Sequence, residues 1–158
     1  MNDLLASIEG SALAVWTRES PSIWAYSTIL TLHTFGLATV VGANAVIDFR
    51  LLGLAPRIPL AALRPLFPIM WWAFAINFVT GILLFMADAT TKSAQWMFYT
   101  KLAMIALAVL VTLSVRNGLV RQDPHIEPRV PANLRTLAIV SLVLWTAAIV
   151  AGRLLAYQ

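Results

Sequence analysis

Cysteine is absent from all 158 residues, which excludes disulfides, thiolate metal sites and thiol chemistry and removes the usual sign of redox compartment. Charge is almost as scarce. Charged residues make up 11% of the chain and hydrophobic residues 60%, whereas ordinary soluble domains carry roughly 25% charged residues. A water-soluble domain of this size could not hide so much apolar side chain, so the solvent must be lipid. The net charge of +4 comes mostly from arginines between the hydrophobic segments. That placement suits anionic head groups, and nucleic-acid binding is set aside. The chain shows no internal repeat or low-complexity tract. Met1–Gly10 carries Asp3 and Glu9 where a signal peptide would have a basic region.

What is present is long apolar runs. Four segments, about Ile23–Ile47, Phe67–Ala87, Trp96–Val115 and Leu134–Leu155, are each near the roughly 20 residues needed to cross a bilayer. Backbone groups in hydrocarbon must be satisfied internally, so these segments are helices. The connectors Phe49–Leu66 and Asn117–Asn133 are broken by prolines and read as loops, while Asp88–Gln95 is short enough for a tight helical hairpin. Ahead of them, Leu4, Leu5, Ile8, Ala12, Val15 and Trp16 share one face of a helix over Asn2–Arg18, with Asp3, Ser7, Gly10, Thr17 and Arg18 opposite. Pro21 ends it. The expected fold is an all-α integral membrane protein in a single transmembrane domain, 1–158. An N-terminal amphipathic interfacial helix (1–20) precedes a four-transmembrane-helix bundle (21–158).

Orientation follows from the basic residues. Arg50, Arg57, Arg64, Arg116, Arg121, Arg129 and Arg135 flank the two long connectors, against Arg18, Lys92 and Arg153 on the other side, seven to three. Both termini are therefore expected outside, in the periplasm of a bacterial inner membrane, with Trp16, Trp24, Trp96 and Tyr157 as an aromatic belt.

Polar groups inside the spans ask for a partner or a function. On helix one, Ser22, Tyr26, His33, Asn44 and Asp48 fall within a narrow arc beside Gly36 and Ala43, expected to face the bundle interior. The comparable stripes are Met70, Asn77, Gly81 and Asp88 on helix two, and Met97, Lys101, Met104, Ala108 and Thr112 on helix three. On helix four Thr146 and Arg153 share a face. His33 should lie about 15 Å and Lys101 about 8 Å below the outer boundary. An imidazole at that depth can ligate a heme iron or a soft metal, and a shallower cation can meet heme propionates. It can equally be a hydrogen-bonding residue that ties two helices together, with Asn77 as the partner at its level. Lys101 can simply snorkel. Met70, Met86, Met97 and Met104 read as packing, Trp71 and Trp72 as lipid contact or core, and His125 as solvated.

His33 in the run LHTFGLATVVGANAVIDFRLLG and Lys101 in WMFYTKLAMIALAVLVTLSVRN resemble the first-helix histidine and third-helix lysine of a group of small bacterial membrane proteins. That group includes the four-helix membrane protoporphyrinogen oxidases, the copper-resistance D-type membrane domains and several uncharacterised families, one of which is most similar. The likeness spans Pro21 to Leu155. It implies heme b bound through His33, as in the oxidase branch, with Lys101 as the second functional residue. The oxidase reaction is not implied, because helix three ends SVRN without a second histidine and helix four lacks that branch's Asn-Glu pair.

The resulting expectation is a heme b site built from His33 as metal ligand, Asn77 behind the imidazole, and Lys101 and Arg153 near the propionates. It would serve electron transfer to or from quinone or a periplasmic redox protein. The chain would act as a homo-oligomer or a subunit of a larger membrane complex. The alternatives are copper or metal transport and delivery, with His33 and methionines as stepping ligands, and a non-catalytic accessory subunit.

Overall fold

Each of the four apolar segments forms a helix in the structure, a computed structural model that describes residues 2–120 and 130–157. His125, Arg121 and Arg129 lie outside the described residues. The long helices are α3 (Ile23–Leu52), α4 (Leu66–Met86), α6 (Trp96–Val120) and α7 (Ala132–Leu154), all long and apolar enough to cross a membrane. The protein is thus an all-α, four-helix membrane bundle. Preceding them are α1 (Asn2–Glu9) and α2 (Ala12–Glu19), and a short α5 (Ala89–Ala94) fills the connector between α4 and α6.

Local chemistry sets the boundaries. Ser22 caps α3 by accepting the Trp24 amide, and Gly53, at φ 92°, ends it in the left-handed region. There the Gly53 amide returns to the Arg50 carbonyl and that of Leu54 to the Phe49 carbonyl, the two bonds of a Schellman cap. This carries α3 five residues beyond the predicted span. At 30 residues it is about 45 Å long, more than the roughly 30 Å of hydrocarbon, so its last turns reach the interface. Pro59 and Pro65 flank a short 3₁₀ turn, Leu60–Leu63, that leads into α4.

The helices pack as a chain of neighbours. The closest pairs are α3 with α4 and α6 with α7, joined where α3 crosses α7. Val40, Ile47, Leu51, Phe67, Met70, Ala108, Val115, Ala138 and Trp145 make the core. Phe35, Trp72, Phe78, Leu110 and Val143 are exposed on the outside of the spans, as lipid-facing residues should be. Trp72 faces outward and Trp71 packs edge-on to Phe74, so they do not form a stacked pair.

The N-terminal segment departs from expectation. It is two helices rather than one, broken at Gly10-Ser11, where the Ser11 hydroxyl caps α2 through the Ala14 amide. The buried side of α2 is Ala14 and Thr17, and Thr17 had been placed on the polar face. Its hydroxyl donates to the Leu13 carbonyl, so it can be buried at little cost. The hairpin lies on the end of the bundle, α1 against α5 and α2 against α4, while Leu4, Leu13 and Trp16 stay exposed.

Two polar contacts fasten this hairpin. Glu9 Oε2 accepts from the Thr90 amide at 2.9 Å and the Thr90 hydroxyl at 2.6 Å, and Arg18 donates to the Ala87 carbonyl at 3.0 Å. The Thr90 hydroxyl, then the Thr90 amide, hold the Glu9 carboxyl below its usual range. A depressed carboxyl contributes attachment above its unfolded-state value, about 4.3, and loses it as pH falls through the lower folded value. Amide exchange over residues 2–19 is therefore expected to accelerate in acid beyond its intrinsic pH dependence. In Glu9→Gln no such acid step should appear. An unchanged protection of the wild type through the acid range would show that Glu9 does not fasten the hairpin.

Candidate functional site

His33 sits on α3 facing α4. Its Nδ1 lies 3.0 Å from the Asn77 carbonyl oxygen and 3.1 Å from Thr80 Oγ1. The single Thr80 proton is already directed to a main-chain carbonyl, that of Ile76 at 2.7 Å. Both neighbours of Nδ1 therefore act as acceptors, so Nδ1 carries the proton. In the neutral ring this leaves the lone pair on Nε2, and among the described residues no group is hydrogen-bonded to that nitrogen.

Asn77 completes a reciprocal pair: its Nδ2 donates to the His33 main-chain carbonyl at 2.7 Å. Two glycines let the helices come this close. A Cβ on Gly36 would stand 3.0 Å from the Ala73 carbonyl oxygen, and one on Gly81 would stand 3.2 Å from His33 Cε1. The imidazole thus occupies the space that a side chain at position 81 would take.

Lys101 comes from α6 and lies over α7. A Cβ on Gly152 would be 3.4 Å from Lys101 Cε and 3.5 Å from Nζ, ordinary contact distances, so the lysine stem lies against Gly152. Lys101 makes no hydrogen bond or ion pair among the described residues. The structure thus pairs His33 with Asn77, and Lys101 lies against Gly152 of α7. Arg153 is exposed and stands apart, next in the chain to Gly152.

Several stripe assignments change. Ser22 and Tyr26 are exposed, because the buried face of the first turns of α3 is Ala25 and Ile29, while Asn44 and Asp48 are buried. Thr146 and Arg153 do not face the interior. The buried face of α7 is Leu134, Ala138, Ser141, Trp145, Ala148 and Ala151, where small residues allow close approach. Met97 and Met104 line an open, mainly apolar groove of about 640 Å³ between α6 and α7, with Trp96, Thr100, Thr146 and Val150. His33 is not part of that groove. Met70 is in the core, at 2% exposed.

Sequence reasoning missed Thr80, Ser141 and Gly152. Thr80 is three residues after Asn77 and so shares its face, a usable signal. The Ala138, Ser141, Ala148, Ala151 spacing was another. Nothing in the sequence marks Gly152 as the seat of a lysine on a different helix.

Among the described residues no three of His, Asp and Glu come together to hold a metal ion. Comparison with protein families, curated proteins and solved structures finds no match.

Proposed function

We propose that this chain is a b-type heme protein that serves electron transfer to or from quinone or a periplasmic redox partner. The observation that carries it is the Nδ1 proton of His33 bonded to the Asn77 carbonyl. A ligating histidine almost always donates its other N–H to a carbonyl or carboxylate, which fixes the tautomer and turns Nε2 toward the metal. The donor set fits the group, because a porphyrin fills four positions itself and asks one imidazole of the protein, whereas a bare metal ion needs three or four protein ligands. The resemblance at His33 and Lys101 supports the same assignment.

In this reading His33 holds the iron, and the Asn77 carbonyl and Thr80 orient the ring. Lys101 supplies positive charge for the propionates, and Arg153 stands at the rim. Bound heme would supply one-electron chemistry, and the chain's share is ligand identity, burial and hydrogen bonding.

The reciprocal His33–Asn77 bonds favour a second reading, in which the pair only locks α3 to α4 and the chain is an accessory subunit. An optical spectrum separates the two. Protein expressed with ample heme and purified in mild detergent should show a Soret band, and colourless protein would end the heme assignment. Metal transport is less well supported. The cavity of about 10 Å³ bordered by Val40, Met70, Phe74, Val109, Thr112 and Trp145 exposes no polar surface that could pass an ion.

The proposal includes an orientation. The end carrying α1, α2 and α5 faces the periplasm and the arginine-rich end faces the cytoplasm. Reporter fusions after Gln158 and within Gln122–Glu127 are expected to report opposite sides, the first of them outside. The same side from both would remove the four-span topology.

A further inference from the structure

A second polar cluster lies near the arginine-rich end, about 22 Å along α3 from His33. Asn44 and Asp48 from α3, Thr112 from α6 and Ser141 from α7 are each at most 3% exposed. The Thr112 hydroxyl donates to Asn44 Oδ1 at 3.0 Å. Asn44 Nδ2 donates to both Asp48 Oδ2 and Ser141 Oγ at 2.6 Å. Asp48 Oδ1 is buried with no hydrogen-bond partner.

We propose that Asp48 is a proton-binding site, holding a proton on Oδ1 and exchanging it with water at the arginine-rich end of the bundle. Asn44, Thr112 and Ser141 already bridge three helices without a carboxyl, so joining helices does not account for Asp48. An ionised carboxylate here would need a donor or cation at Oδ1. The described basic groups at this end are otherwise placed. Arg50 donates to the Ile58 carbonyl, Arg57, Arg116 and Arg135 are exposed, and Arg64 has an interaction of its own. From α4 the neighbouring core residues are Phe67 and Met70, which carry no charge.

A hard metal cation fits less well than a proton. Such ions take about six oxygen ligands, but here the Asn44 amide N–H groups sit between Asp48 and Ser141, and the Asn44 oxygen is taken by Thr112. A proton needs one oxygen and no cage. The arginine-rich end of the bundle is the nearer one. Asp48 is four residues from the end of α3, about 6 Å. On the side toward His33, the cavity of about 10 Å³ that borders Thr112 exposes no polar surface to hold a file of waters. The site therefore loads and unloads on one side and is not part of a transmembrane channel. It does not depend on heme.

Infrared spectroscopy of the full chain reconstituted in phosphatidylcholine vesicles tests this directly. The wild type at neutral pH is expected to show the carbonyl band of a protonated carboxylic acid, shifted in D₂O. In Asp48→Asn, which resembles the neutral acid in shape, that band should be lost while the helical amide signal is kept. Asp48→Glu should restore a displaced band. Replacing choline chloride with sodium chloride should leave the band unchanged. Absence of the band from the wild type, its survival in Asp48→Asn, or its loss on adding sodium would each overturn the proposal, the last by assigning a cation instead.

Discussion

His33→Ala is expected to remove the Soret band from protein that still inserts and folds. The substitution deletes the only imidazole that the structure places inside the described bundle, together with the Nε2 lone pair freed by the bond from Nδ1 to the Asn77 carbonyl. Loss of groups that merely orient a ligand typically lowers affinity about 10–100-fold, and loss of the ligand itself should take occupancy below detection. The bundle should survive, because hydrogen bonds between helices in lipid average about 0.6 kcal/mol and rarely exceed about 2 kcal/mol. Neighbouring variants give a graded series. Asn77→Ala removes the bond to the His33 carbonyl but keeps its own main-chain carbonyl, the acceptor of the imidazole proton. Its effect should therefore be mild. Thr80→Val leaves that same acceptor in place. Lys101→Ala should shift the reduction potential or speed heme loss without abolishing the band, since it removes a charge rather than a ligand. Full heme occupancy in His33→Ala would overturn the ligand assignment and move the search to His125, to a methionine or to a site shared between chains.

The fold was legible because lipid imposes a strong constraint: four apolar runs of about 20 residues can only be helices. Their boundaries were less so. The extra turns of α3 depend on Gly53 adopting positive φ, which the run of hydrophobicity does not encode. Helical spacing on α3 places Gly36, Asn44 and Asp48 correctly in the interior, but polarity singles out Ser22 and Tyr26 in the first turns, where the buried residues are the apolar Ala25 and Ile29. On α7 polarity misled. Thr146 and Arg153 stood out, yet the inward face is marked by small size, and Ser141 is its buried polar member. The N-terminal hairpin shows a further limit. Amphipathicity described its apolar face, but its attachment depends on Glu9 meeting Thr90, 81 residues away. The His33–Asn77 pairing was legible from depth alone, because both lie at one level on antiparallel helices. That the main-chain carbonyl rather than the side chain of Asn77 receives the imidazole proton was not, since it depends on how closely the backbones approach.

That approach is tested by comparing two glycines of the same helix. A Cβ on Gly36 would meet the Ala73 carbonyl oxygen at 3.0 Å, Asn77 Cβ at 3.1 Å and the Asn77 amide nitrogen at 3.2 Å. These atoms belong to the backbone or are fixed to it, so no side chain can rotate away and α3 and α4 must separate. A Cβ on Gly42 meets nothing within 4 Å. Gly36→Ala is therefore expected to destabilise the bundle by about 1–3 kcal/mol, the usual cost of overpacking. For a chain of this size each kcal/mol lowers Tm by about 2–4 °C. Gly42→Ala should be neutral or slightly stabilising, alanine being the better helix former by up to about 1 kcal/mol. The two variants add the same methyl group to the same helix, so differences in insertion or helix propensity cancel in the comparison. Gly36→Ala has a second consequence that Gly42→Ala lacks. By pushing Asn77 outward it lengthens both bonds of the His33 pair, so heme retention should fall with stability. Thermal unfolding in detergent, followed by circular dichroism, reads the first effect and the Soret absorbance per chain reads the second. Equal Tm values for the two variants would show that the glycine contact does not set the distance between α3 and α4. A lowered Tm with unchanged heme would show that the pair tolerates helix separation and that the imidazole is oriented by something other than the Asn77 carbonyl.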